Sequence, residues 1–159
     1  MNDLTNKTIL VAGGAGYLGS SLCKAILSNN GNLSIADIDD KKINILLDAL
    51  KIEYPDAKIL SVKLDIKNES SITECVNTTY EHFGSIDGLV NATFGATNKN
   101  LENLSADDFN AANEINLTGS FLLSRATSSK MKAGASIVMF ASMYGIVSPN
   151  PSLYPDGIN

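Results

Sequence analysis

Three glycines, Gly13, Gly16 and Gly19, stand three residues apart behind the apolar run Thr8-Ile9-Leu10-Val11-Ala12 and ahead of a helical pattern. A β-branched run that ends in glycines reads as a buried strand leading into a tight turn. Glycine lets the backbone come close to a pyrophosphate, and the start of the helix behind it offers free N–H groups and a positive dipole end. The spacing therefore makes residues 13–19 a phosphate-binding loop, with Tyr17 and Leu18 at the helix entrance. Strand–loop–helix context separates this motif from an ordinary glycine-rich turn. Asp37 ends the next strand, 18 residues after Gly19. A carboxylate there accepts hydrogen bonds from an adenosine ribose and repels a 2′-phosphate. Ile38, Asp39 and Asp40 follow, with no arginine to receive such a phosphate. NAD is expected in preference to NADP. The competing reading makes Asp37 a turn residue and leaves Asp40 to cap the next helix.

These residues need elements to hold them. Helical spacing of Leu18, Leu22, Ala25 and Ile26 predicts a helix from Tyr17 to Asn29, stopped by Gly31. Leu33 to Ala36 reads as a second strand, and Asp39 or Asp40 opens a helix through Ile43, Leu46, Leu47 and Leu50. A third strand is expected from Ala57 to Leu64, a third helix from Ser70 to Phe83, and a fourth strand from Ile86 to Asn91. Thr93 to Asn103 is a polar loop, long enough to be functional. Ser105 and Asp108 resemble a capping box that opens a long helix to about Lys130. Ser136 to Ala141 is a fifth strand. Strands alternating with helices predict an α/β doubly wound parallel sheet in the order 3-2-1-4-5, helices on both faces, with a ligand crevice at the carboxyl ends. Residues 1–144 are expected to form the dinucleotide-binding domain and 145–159 an irregular, proline-rich tail.

With these motifs in place, the sequence resembles the short-chain dehydrogenase/reductase family over essentially its whole length. Gly13, Gly16 and Gly19 match one branch of the family, whereas another branch places a glycine where Tyr17 stands. Asp65, in Leu64-Asp65-Ile66, matches an acid whose neighbourhood contacts adenine. Asn91-Ala92-Thr93 falls where the family has Asn-Asn-Ala-Gly. Asn116, in Ile115-Asn116-Leu117, matches a catalytic Asn that distorts its helix and holds a water in a proton relay; Asn113 is a nearby competitor. Ser142 matches the catalytic Ser, whose hydroxyl hydrogen-bonds the reacting carbonyl oxygen.

The family's general acid is the Tyr of Tyr-x-x-x-Lys, with both side chains on one helix face. Of the five tyrosines, only Tyr54 has a lysine four residues on, Lys58, and Pro55 and Asp56 intervene in a loop. Tyr154 is followed by Pro155, which disfavours helix, and its +4 residue is Ile158. The resemblance therefore implies the first two-thirds of a member, without the Tyr/Lys pair. It implies an NAD-dependent oxidoreductase moving a hydride between nicotinamide and a small carbonyl or alcohol substrate, inactive in this short form. The alternative is a noncatalytic dinucleotide-binding module serving as a sensor or interaction subunit. Residues Ser142 to Pro151 resemble members acting on nucleotide-linked or bacterial surface sugars. An open fifth strand and the apolar Phe121, Leu122 and Leu123 predict a homo-oligomer.

Composition excludes other partners. The net charge is −5, and the 12 basic residues form no cluster beyond Lys41-Lys42. Nucleic acids and anionic membranes need a concentrated basic face, so neither is expected. No apolar run approaches a membrane span. Cys23 and Cys75 lie in helical apolar patterns and read as buried thiols. Two cysteines and His82 have no metal-site spacing. Without a signal-peptide pattern at the N-terminus, a cytoplasmic protein is expected.

Overall fold

A computed structural model describes residues 3–148, 150 and 152. The apolar run forms β1 (Thr8–Ala12), followed by α1 (Tyr17–Leu27), β2 (Asn32–Asp37), α2 (Asp40–Glu53), β3 (Ile59–Lys63), α3 (Glu69–Phe83) and β4 (Gly88–Asn91). A 3-10 turn at Leu101–Asn103 precedes α4 (Ala106–Asn113). A π-helical segment, Glu114–Gly119, runs directly into α5 (Ser120–Ser128). The chain then forms β5 (Ser136–Met139) and a 3-10 turn at Met143–Gly145. The strands make one parallel sheet in the order β3-β2-β1-β4-β5, as expected.

Side-chain caps decide where three of the helices begin. Asp39 accepts from the N–H groups of Lys41 and Lys42 at 3.1 Å each, so Asp39, not Asp40, caps α2. Asp40 instead pairs with Lys63 across to β3. Asn68 caps α3 through Ser70 and Ser71. Ser105 and Asp108 form the reciprocal capping box of α4. Such caps satisfy helix N–H groups that no residue within the helix can reach.

Parallel strands expose both faces, so they need apolar cover on each side. On one face Leu10, Ala12, Ala36 and Leu89 pack against Ile72, Cys75 and Val76 of α3 and Leu123 of α5. On the other, Val11, Leu33 and Ile35 pack against Cys23, Ile26 and Leu27 of α1 and Leu50 of α2. Each fully buried Leu, Ile or Val contributes about 1.5–3 kcal/mol. Cover fails at β5. Its Ile137, Val138 and Met139 are 38–51% exposed. In register, Val11, Val90 and Val138 share one face, and they pass from buried to half-exposed along that row.

The expected helix to Lys130 is thus three segments, with the π turn spanning Asn116. No helix among the described residues is long and apolar enough to cross a membrane. Pro149, Pro151, Tyr154, Pro155 and Ile158 lie outside the described residues, and with them most of the expected tail.

Candidate functional site

The loop between β1 and α1 is built by close backbone contacts. Gly13 has φ +70°, in the left-handed region, and a Cβ there would lie 2.7 Å from the Ala92 carbonyl oxygen. The Gly16 N–H donates to the Gly13 oxygen at 3.0 Å and closes the turn. A Cβ on Gly19 would collide with the Gly13 carbonyl oxygen and come within 2.8 Å of the Gly14 Cα. Gly19 therefore lets α1 sit directly under the loop. Gly16, the residue before α1, makes no side-chain cap, whereas α2, α3 and α4 each have one. No side chain thus caps the start of α1, whose residues Tyr17 and Leu18 line the cleft with Gly16.

Asp37 stands at the end of β2 beside this loop. One carboxylate oxygen accepts from the Ala15 N–H at 3.0 Å and the other from the Asp39 N–H at 3.2 Å. Farther out, Asp65 accepts from the Lys67 N–H at 3.0 Å, and its own N–H donates to the Ser71 hydroxyl. Ile66 is buried next to it. A Cβ on Gly119 would lie 2.6 Å from the Ile66 oxygen, so a glycine in the π segment lets that helix close on the β3–α3 loop.

On the other side of β1, Asn91 ends β4 and is buried. Its Nδ2 donates to the Ser120 hydroxyl at 2.9 Å, while its Oδ1 accepts from both the N–H and the hydroxyl of Thr93. Asn116 grips the backbone of Gly95 from both sides. Its Oδ1 accepts from the Gly95 N–H at 3.0 Å and its Nδ2 donates to the Gly95 oxygen at 2.7 Å. Asn113 turns away and donates to the Phe109 oxygen of its own helix. Ser142 lies beyond β5. Its hydroxyl oxygen accepts from the Tyr144 N–H at 3.2 Å, which leaves the O–H hydrogen free to donate.

One cleft of about 860 Å³ at the carboxyl ends of the strands gathers Gly13, Gly16, Tyr17, Leu18, Asp37, Asp65, Ile66, Asn91, Asn116 and Ser142. Gly19 stands behind the loop. Phe94, Ser120, Lys67, Met139 and Phe140 also line the cleft, and the sequence reading did not single them out. Ser120 had a usable signal, because it follows Asn116 by four residues on one helical stretch. Phe94 lies in an irregular loop and had none. Tyr54, the one tyrosine with a lysine at the right spacing, follows α2 and packs with Leu50 and Ile59 at the opposite end of the strands. Partial burial, then the neighbouring Glu53, push its hydroxyl above the usual value, away from acid–base duty near neutrality.

The family profile described as short chain dehydrogenase matches residues 7–155. The chain belongs to the short-chain dehydrogenase family. Among its relatives, the 7alpha-hydroxysteroid dehydrogenase of Bacteroides fragilis is 33% identical over 161 residues, covering 97% of this chain and 61% of that protein. The "Post-translational flagellin modification protein A" of Campylobacter coli is 38% identical over 91 residues, covering 57% of this chain and 35% of that protein. The solved structure of a short-chain dehydrogenase/reductase described as a glucose/ribitol dehydrogenase, from Brucella melitensis, matches with a TM-score of 0.85 at 25% identity. It is covered over 63% of its length by 94% of this chain. This short-chain dehydrogenase chain therefore spans 35–61% of the length of these curated relatives.

Proposed function

We propose that the cleft binds NAD and serves an oxidoreductase reaction on a small carbonyl or alcohol substrate. The observation that carries this reading is convergence: residues far apart in sequence line one cleft at the switch point between β1 and β4. The uncapped start of α1, Gly13 and Gly16 would hold the pyrophosphate. Asp37 would accept from the adenosine ribose, with Asp65 and Ile66 beside the adenine. Asn91 would order the wall under the nicotinamide half. When bound, the nicotinamide supplies or accepts a hydride. The Ser142 hydroxyl would donate a hydrogen bond to the substrate oxygen, where charge develops. Asn116 would hold the β4 loop through Gly95 and support a proton relay.

Among the described residues that line the cleft there is no Tyr-x-x-x-Lys pair, and little or no turnover accompanies cofactor binding in this reading. A sugar-bearing substrate is the finer proposal, supported by the resemblance of residues Ser142 to Pro151 to sugar-acting members. Two free cysteines suit the reducing cytoplasm. The exposed β5 supports self-association.

Calorimetric titration with NAD and NADP tests the reading. NAD should bind at least about tenfold more tightly, and Asp37→Ser should narrow that gap. Equal affinity for both, or no binding of either, would overturn it.

A further inference from the structure

We infer that Phe94 is a cofactor-positioning residue that packs its ring on the nicotinamide half of the bound dinucleotide. This rests on the dinucleotide reading above. Phe94 lines the cleft, yet 79% of it is exposed. Its neighbours are fixed on both sides. Thr93 is held by Asn91 through its N–H at 3.1 Å and its hydroxyl at 2.7 Å. Gly95 is held by both ends of the Asn116 amide, and a Cβ on Gly95 would lie 2.7 Å from the Ile115 side chain. Two clamps thus fix the backbone around a side chain that is left largely exposed among the described residues.

Position selects the partner of that ring. Asp37, Asp65 and Lys67, with Ile38 and Ile66 beside them, put all the charged lining of the cleft over β2 and β3, which the proposed reading makes the adenosine side. Phe94 follows β4, on the same side as Ile115, Met139 and Phe140, which give the cleft an apolar end beside Ser142. A dinucleotide with its pyrophosphate at the loop before α1 carries its nicotinamide toward that end. A flat ring there meets an aromatic face already in place and loses little freedom in doing so.

The chain contains no tryptophan, so Phe94→Trp creates a single fluorescent reporter. NADH absorbs where tryptophan emits, and titration with NADH should quench that emission saturably. In parallel, calorimetry should show Phe94→Gly weakening NADH affinity by roughly threefold to tenfold, the span an aromatic contact supplies, with ADP affinity unchanged. Unchanged NADH affinity in Phe94→Gly, or equal losses for NADH and ADP, would overturn the inference while leaving NAD binding intact. So would an unquenched reporter that still binds NADH. Failure of the unaltered chain to bind NADH would overturn both readings.

Discussion

At the scale of single residues, the site rests on contacts that admit almost no added atom. Gly19 is the sharpest case, because its missing Cβ is where the Gly13 carbonyl sits. Gly19→Ala should destabilise the fold by about 1–3 kcal/mol, as overpacking does, and weaken NAD binding. Urea denaturation and calorimetry would measure the two effects, and an unchanged midpoint would refute the packing argument. The cysteines make the opposite kind of prediction. Burial pushes both thiols up to about 12, so native protein at mildly alkaline pH should resist a thiol reagent, while denatured protein reacts at both. Rapid labelling of the native chain would show that the α1 or α3 packing is loose. Much of the residue-scale picture was legible: Gly13, Gly16, Asp37 and Ser142 line the cleft, with Gly19 packed behind its loop. What was not legible is direction. Asn113 and Asn116 differ by three positions in similar surroundings, and only the fold shows one bonded to its own helix and the other to Gly95.

Elements were legible where local chemistry acts alone. The apolar run of β1 ends where its glycines begin, and Ser105 with Asp108 reads as a cap because both partners are three residues apart. The choice between Asp39 and Asp40 was not legible, since it depends on Lys63 from a strand outside the helix. A π turn leaves no gap in apolar spacing, so only the resemblance, through Asn116, pointed to a distortion within the fourth helix. The cap of α4 carries a pH prediction. The Lys99 ammonium, 2.6 Å away, and then Ser105 hold the Asp108 carboxyl at about 2, below its ordinary 3.8. A value lowered by folding stabilises the folded state above the ordinary value, and that gain fades as pH falls through the lowered one. The protection of α4 amides, relative to their intrinsic exchange rate at each pH, should therefore fall between pH 3.8 and about 2. Asp108→Asn should remove that pH dependence; an identical acid profile in the variant would contradict the assignment. Replacing the cap of α3, Asn68→Ala, should cost about 1 kcal/mol of stability in thermal or urea melts.

For the whole molecule, the sheet is well covered at β2, β1 and β4, part-buried at the β3 edge and exposed at β5. A parallel edge strand with half-exposed Ile137, Val138 and Met139 offers unpaired backbone groups beside apolar side chains. The chain should sediment as a dimer or larger species, and Val138→Lys should shift it toward monomer. A monodisperse monomer before any substitution would rule out this self-association. The strand order was legible because right-handed crossovers permit few arrangements; the bare face was not, because cover depends on what packs against a strand rather than on the strand itself. That order has one more consequence. β1 and β4 are neighbours in the sheet, although α1, β2, α2, β3 and α3 lie between them in the chain. On the proposed reading, Asp37, Asp65 and Ile66, which would meet an adenosine, come from before this seam, and Asn91, Phe94 and Ser142, which would meet a nicotinamide, come from after it. During synthesis the first half of the recognition surface is therefore written before the second exists. A dinucleotide lying across the seam would be the one component that touches both halves at once, fastening early sequence to late.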